Sequence, residues 1–138
     1  MRCIVGLKRR ARELTLQMLF QLDLGSTSMQ DIEQSFLPGA SAPDAAKLLA
    51  LQLTRQVWEH VADLDNHLRG LAEHWDMARM AAVDRNVLRI GAYEILCDPQ
   101  VPKSVAINEA IEIAKRFSTD ASGKFVNGIL DKLEKPLV

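Results

Sequence analysis

A dense cluster of cations stands near the beginning of the chain, in the stretch KRRAREL: Lys8, Arg9, Arg10 and Arg12. Guanidinium groups grip phosphates bidentately and stack on bases, so this cluster could bind nucleic acid. The apolar pattern that follows predicts that a helix begins at about Leu7. A helix N-terminus carries about half a positive charge and disfavours cations by about 0.3–1 kcal/mol each, whereas it favours a bound phosphate.

A helical projection predicts which side of this helix is open. Apolar residues recur in one stripe that should face the core: Leu7, Ala11, Leu14, Met18 and Leu22. Three of the four cations share one side outside that stripe, and Arg10 lies on the opposite flank. Leu16 and Phe20 project away from the stripe, in line with Arg9. An aromatic residue there indicates a contact surface for a partner, unless a neighbouring helix buries Phe20.

A second group of candidate ligands lies in TDASGKFVNG, residues 119–128. Ser122 or Thr119 is a natural N-cap for a new helix. The predicted core stripe of that helix is Val126, Ile129, Leu130 and Leu133. Three other side chains lie outside or beside this stripe: Lys124, Phe125 and Asn127. Gly123 costs helix stability but allows a close approach to the backbone. A helix start with free N–H groups, a Lys and an Asn predicts a phosphate or RNA-backbone site.

Other reactive side chains form no recognisable site. His60, His67 and His74 recur every seven residues, about 10.5 Å apart along a helix, which is too far for one zinc ion. The sequence has no Gly-rich phosphate loop, nucleophile elbow or Cys/His cluster, so neither catalysis nor a cofactor is predicted. Cys3 and Cys97 fit free thiols in a reducing compartment, the cytoplasm. No apolar run approaches 18 residues, and the start is not a signal peptide.

Composition and charge fit a globular protein with one unusually basic end. The 138 residues, 48% apolar and 25% charged, predict a single domain over residues 1–138. The net charge is only −1, but residues 1–12 hold five basic residues and no acidic one. Residues 13–76 hold three basic and ten acidic residues, and residues 77–138 nine and eight. Local potential steers a polyanion, so the basic end stays a candidate site.

Helical periodicity recurs along the whole chain, while strand signals are scarce. The fold class is therefore predicted to be all-α, a compact bundle of six or seven helices. The expected helices span about 7–24, 29–37, 44–72 as one helix or two, 76–97, 105–117 and 122–133. The clearest loop is expected at 38–43. The helix at 76–97 is apolar on most sides, which predicts that it lies at the centre.

Three blocks resemble the NusB family of bacterial transcription antitermination factors: KRRARELTLQMLFQLD at 8–23, DRNVLRIGAYEIL at 84–96 and VPKSVAINEAIEIAKRFSTDASGKFVNGILDKL at 101–133. The resemblance implies a NusB-like all-helical domain that binds boxA, a single-stranded RNA element in ribosomal RNA leader transcripts. It implies as partner a small-subunit ribosomal protein acting as NusE. The complex would join other Nus factors on RNA polymerase and promote read-through.

The resemblance also implies roles for particular residues. The four cations of KRRAREL would contact RNA, and Lys124, Phe125 and Asn127 would form a second RNA patch that also includes Ser122. Phe20 stands where family members often have Tyr, and Asp84 where Glu is common; both positions resemble the NusE interface. The projection adds Leu16 to that interface. Ala121 replaces an acidic residue that is common just before the last helix.

Two other functions stay open at this point. The same fold serves as an RNA-binding module fused to ribosomal RNA cytosine methyltransferases. This sequence contains no cofactor-binding domain, so that function would need a separate methyltransferase subunit. The other alternative is a protein-interaction module, a homodimer that covers the RNA face.

Overall fold

The computed structural model describes the backbone of residues 2–25, 27–72 and 76–136, and the side chains of these ranges from residue 6 onward. Every regular element in these ranges is helical, which confirms the all-α prediction. The helices are α1 (Arg2–Asp23), α2 (the consecutive stretches Met29–Asp31, Ile32–Phe36 and Leu37–Gly39), α3 (Asp44–Glu59), α4 (Val61–Leu71), α5 (Ala82–Cys97), α6 (Lys103–Phe117) and α7 (Asp120–Leu130). A 3₁₀ turn covers Met77–Arg79. No helix in the described ranges is both long and apolar enough to cross a membrane.

The chain divides into two compact units, one ending at Glu59 and the other beginning at His60. The first unit contains α1, α2 and α3, and the second contains α4 to α7. The expectation of a single domain over residues 1–138 stays a prediction.

In the first unit, α1 packs along α3. The predicted stripe is confirmed for Ala11, Leu14, Met18 and Leu22, which are buried, while Leu7 is half-buried. Thr15 lies among these buried residues, and its hydroxyl donates to the carbonyl oxygen of Ala50 on α3 at 3.1 Å. A buried hydroxyl needs such a partner, so the bond fixes the register of the two helices.

The two ends of α1 differ in how well the sequence predicts them. The helix begins at Arg2, so the predicted start at Leu7 is wrong by more than a turn. At the other end, Gly25 has a φ of 77°, a left-handed conformation that glycine adopts without strain, as expected of a helix stop. Ser28 caps the next helix by accepting the backbone N–H of Asp31.

Helix α2 runs further than expected. The predicted loop at 38–43 is wrong for its first two residues, because Leu37–Gly39 is helical. The preceding stretch Ile32–Phe36 is a π-helical turn, so Pro38 enters in the first turn of a new α-helical stretch. Proline is tolerated there because its missing N–H has no helical partner to lose.

In the second unit, α5 is the central helix, as predicted. Ten consecutive residues, 86–95, are buried, and α5 packs against α4, α6 and α7. Gly91 allows α7 to come close, because a Cβ at that position would stand 2.5 Å from a methyl carbon of Leu130. After α7, the Lys135 ammonium donates to the carbonyl oxygens of Glu94, at 2.8 Å, and Asp98 at the end of α5. These bonds satisfy orphan carbonyls of that helix end.

Other helix boundaries from residue 44 onward differ modestly from the prediction. The span 44–72 is two helices, interrupted at His60, and α4 runs past Gly70 to Leu71. The predicted 76–97 helix is a 3₁₀ turn followed by α5. Helix α7 begins at Asp120 and ends at Leu130, with Leu133 buried beyond it.

Candidate nucleic-acid interface

The cations of KRRAREL occupy different environments on α1. Lys8 and Arg9 are exposed, as the projection predicted. Arg10 is half-buried, and its guanidinium donates to Glu13 at 3.2 Å and to the carbonyl oxygen of Ser41 at 3.0 Å. Lys8 and Arg9 are therefore accessible to solvent, whereas Arg10 also holds α1 against the loop before α3.

The position of this cluster in the helix corrects one expectation. Because α1 begins at Arg2, Lys8 is its seventh residue and lies in the second turn. The dipole of a helix acts within its first and last turns. The cluster therefore neither crowds a helix N-terminus nor gains a phosphate site from one. Its attraction for a polyanion comes from the side chains.

Two predicted surface residues of α1 are buried. Arg12 is 6% exposed and Leu16 is 2% exposed, so the expectation that both lie on the open side is wrong. Phe20 is half-buried. The projection assumed one buried stripe, but α1 is covered on a second side as well. The Leu16 side chain thus has almost no surface to offer a partner, while Phe20 retains some.

Helix α7 begins at Asp120, two residues before Ser122, and Thr119 is its N-cap. The Thr119 hydroxyl oxygen accepts the Ser122 backbone N–H at 3.1 Å. The Ser122 hydroxyl donates to the Ser118 hydroxyl at 2.8 Å and is buried with its residue. Of the two N-cap candidates, Thr119 is therefore correct. Ser122 lies inside the first turn of α7, and its hydroxyl group bonds back to the residue before the N-cap.

The burial of the other α7 residues agrees with the predicted core stripe. Val126, Ile129, Leu130 and Leu133 are buried. Lys124 and Asn127 are exposed to solvent, and Phe125, which lies beside the buried stripe, is half-buried. One exposed cation, one exposed amide and part of an aromatic ring can supply a phosphate contact, a hydrogen bond and a stacking surface.

A pocket of about 330 Å³ joins the start of α7 to the start of α5. Its lining includes three predicted site residues, Asp84 from one block of the sequence and Ser122 and Phe125 from another, together with Ala121. Arg79 and Met80 from the segment before α5 complete one wall. The small Ala121 side chain thus faces this pocket, where an acidic residue would add negative charge.

Asp84 is in the first turn of α5, where the helix dipole favours a carboxylate. Its Oδ1 atom is shielded from solvent and has no hydrogen-bond partner among the described residues. A shielded carboxylate oxygen of this kind gains free energy when a donor reaches it. Asp84 as a whole is half-buried, so a bound partner would meet the accessible part of the residue and not the shielded Oδ1 atom.

Gly123 has a structural role that the sequence did not predict. A Cβ at that position would lie 2.9 Å from Lys115 Cγ and 3.4 Å from Ile111 Cγ2. The close approach expected at Gly123 is thus made by α6, a neighbouring helix of the same chain. Lys115, in the last turn of α6, and Arg79 are exposed cations that sequence reasoning missed. The short 118–119 connection could have indicated Lys115, since it places the end of α6 beside the start of α7.

His60 and His67 do not line the pocket that Asp84 and Phe125 share. His60 and His67 line a second pocket of about 630 Å³ with Asp63 and Cys97, and His74 lies outside the described residues. The described part of the chain holds no group of three metal-ligating side chains. Partial burial, together with the nearby Asp63 carboxylate, raises the pKa of the Cys97 thiol above its ordinary value, against the opposing charge of Lys135.

The predicted sites belong to different units. The candidates Lys8, Arg9, Arg10, Arg12, Leu16 and Phe20 are in the unit that ends at Glu59, and Asp84 and the α7 residues are in the unit that begins at His60. Within the second unit, the structure brings Asp84, Ser122 and Phe125 together around one pocket.

Comparison with known proteins gives a consistent family. The NusB family model matches residues 9–135. The transcription antitermination protein NusB of Desulfitobacterium hafniense is 46% identical over 129 residues, covering 91% of this chain and 86% of the relative. That of Koribacter versatilis is 41% identical over 133 residues, covering 96% and 91%.

Solved structures agree in fold. NusB of T. maritima superposes with a TM-score of 0.80 at 39% identity, covering 94% of this chain and 93% of that one. The structure of antitermination factors NusB and NusE in complex with dsRNA gives a TM-score of 0.73 at 22% identity, covering 91% and 94%. At that identity the likeness shows the fold alone.

Proposed function

The chain belongs to the NusB family, and from this membership we propose that it is a transcription antitermination factor that binds boxA-type RNA together with NusE. The observation that carries the proposal is the arrangement on α7: exposed Lys124 and Asn127 flank a half-buried Phe125, in a chain that the family model matches almost throughout. The complex would join other Nus factors and RNA polymerase in the cytoplasm. Its action is binding without catalysis.

The chemistry of single-stranded RNA fits these side chains. Its phosphates attract cations, and its unstacked bases offer faces and hydrogen-bonding edges that a duplex hides. Lys8 and Arg9 on α1 and Lys124 on α7 supply positive charge. Asn127 can donate to or accept from a base or sugar, and Phe125 can stack. Arg10 and Arg12 contribute less direct contact with RNA. Arg10 donates to the backbone of the loop before α3, and Arg12 is buried.

The NusE contact draws on two other residues. Phe20 keeps part of its ring accessible on α1, and Asp84 offers a carboxylate at the pocket on α5. Ribosomal proteins are basic, so the carboxylate of the half-buried Asp84 suits a Lys or Arg of such a partner. That both RNA patches act on one RNA molecule is part of the proposal. The NusB chain in the structure of NusB and NusE in complex with dsRNA has the same fold as this chain.

A fluorescence anisotropy titration tests the proposal. Labelled boxA RNA and a scrambled RNA of equal length are titrated with the purified protein, with and without the ribosomal partner. We expect tighter binding of boxA than of the scrambled RNA, and a further gain when the partner is present. Equal affinity for both RNAs under both conditions would contradict the proposal.

A further inference from the structure

The last turn of α6 approaches the α7 patch through one side chain. The aliphatic part of Lys115 lies over Gly123, with Cγ 2.9 Å and Cδ 3.3 Å from the point where a Cβ would stand. The ammonium nitrogen is two bonds beyond Cδ, so it lies no more than about 6 Å from that point. Gly123 directly precedes Lys124. Two lysines from different helices therefore flank the first turns of α7.

The glycine carries a cost that the Lys115 contact explains. Gly123 is in the fourth position of α7, where glycine is intrinsically less favourable to the helix than alanine. Alanine there would push the Lys115 stem away from α7. Glycine thus lowers the intrinsic stability of the helix, but it leaves the space in which the Lys115 side chain lies against α7. The helix dipole accounts for a cation in the last turn of α6, but not for the glycine opposite it.

The charge of Lys115 is available to a ligand. The residue is exposed, and no ion pair of its ammonium occurs within the described residues. The next residue, Arg116, is also exposed, and its guanidinium carbon lies 5.6 Å from the centre of the Phe117 ring. Positive charge therefore continues from α7 onto the end of α6.

We propose that Lys115, laid across Gly123, is a further phosphate contact of the RNA site, extending the Lys124 patch onto α6. The proposal rests on the proposed function, since it assigns another contact to the same site. The partner is identified by its chemistry, a single-stranded polyanion whose backbone passes the junction of α6 and α7. Gly123 is then a positioning residue, because it acts through Lys115.

The test is a double-mutant cycle of Lys115→Ala and Gly123→Ala. The affinity for boxA RNA is measured for each variant over a series of salt concentrations. Lys115→Ala should weaken boxA binding by up to about fivefold at low salt, as for an exposed ion pair. It should also lower the slope of log K against log salt by about 0.7. Gly123→Ala displaces the Lys115 stem without removing its charge, so its loss should be smaller. In the Lys115→Ala background, Gly123→Ala should cause no further loss.

Matched controls come from the same unit. Gly128→Ala adds a methyl group to α7 where nothing lies within 4 Å, and Lys132→Ala removes an exposed cation elsewhere. Both should bind RNA like the wild type. Thermal melting should show all variants folded, since alanine favours the helix and a lysine stem moves easily.

The outcomes separate the two proposals. If Lys124→Ala weakens binding while Lys115→Ala changes neither affinity nor salt slope, the Lys115 contact is overturned and the proposed function stands. Additive effects of Gly123→Ala and Lys115→Ala would overturn the positioning role. If the wild type does not prefer boxA even with the ribosomal partner, the proposed function fails and the Lys115 contact fails with it.

Discussion

Arg89 on α5 grips Asp65 on α4 through two parallel hydrogen bonds, Nε to Oδ1 at 2.8 Å and Nη2 to Oδ2 at 2.7 Å. Both residues are buried, and Arg89 also donates to Asn86 Oδ1 at 3.0 Å. A bidentate pair of this kind fixes the geometry of two helices as well as their attraction. It joins α4 to the helix that carries Asp84 at its start.

The first prediction concerns this pair. Asp65→Ala should lower the free energy of unfolding by about 3–5 kcal/mol, because it leaves the Arg89 guanidinium buried without its counter-charge. Urea denaturation followed by circular dichroism measures the change. Asp63→Ala, at an exposed position two residues earlier on α4, is the control and should change stability little. A stability loss for Asp65→Ala no larger than that of the control would contradict the role of the pair.

The second prediction concerns the close approach of α5 and α7. Gly91→Ala should destabilise the fold by about 1–3 kcal/mol, because its Cβ would overlap a methyl group of Leu130 in a packed core. Gly128→Ala, which meets nothing within 4 Å, should be neutral or stabilising. Equal melting temperatures for the two variants would contradict this prediction, because they would show that α5 and α7 accommodate the added methyl group without loss of stability.

The third prediction separates folding from partner binding on α1. Leu16→Ala should cost about 2–5 kcal/mol of stability, because a fully packed side chain is removed. Phe20→Ala should cost less stability and should weaken NusE binding more than RNA binding. Calorimetry with each ligand, beside a melting curve, distinguishes the two effects. If Phe20→Ala left NusE affinity untouched, its assignment to the partner surface would be wrong.

The fourth prediction concerns the Cys97 thiol. Burial and the Asp63 carboxylate raise its pKa, so the reactive thiolate is scarce at neutral pH. Asp63→Asn removes a negative charge that favours the protonated thiol. The pKa should fall, and alkylation by iodoacetamide at a given pH below the pKa should be faster than in the wild type. An unchanged midpoint of the alkylation rate against pH would contradict the influence of Asp63.

Much of the fold follows from local pattern. The α1 stripe and the α7 stripe are both buried as their periodicity predicts, and the all-α class follows from the scarcity of strand signals. Helix ends follow less directly from the sequence where two caps compete. Thr119 and Ser122 are both good N-caps, and only the hydrogen bond between them shows that the helix starts at the first.

The errors arise where tertiary packing decides. A projection from one helix assigns one buried stripe, so it placed Arg12 and Leu16 outside when α1 is covered on a second side. Gly123 looked open to a ligand, because nothing in the local sequence shows that Lys115 lies over it. The pocket shared by Asp84 and Phe125 joins residues far apart in the chain, and only the resemblance linked them to function beforehand.

The central claim is that α7 presents an RNA contact through Lys124. Its most direct test is the salt dependence of boxA affinity for the wild type, Lys124→Ala and the control Lys132→Ala, with the ribosomal partner present. We predict that Lys124→Ala weakens binding and lowers the salt slope by about 0.7, the value of one phosphate contact on a single strand, while Lys132→Ala changes neither. Identical affinity and slope for Lys124→Ala and the wild type would contradict the claim.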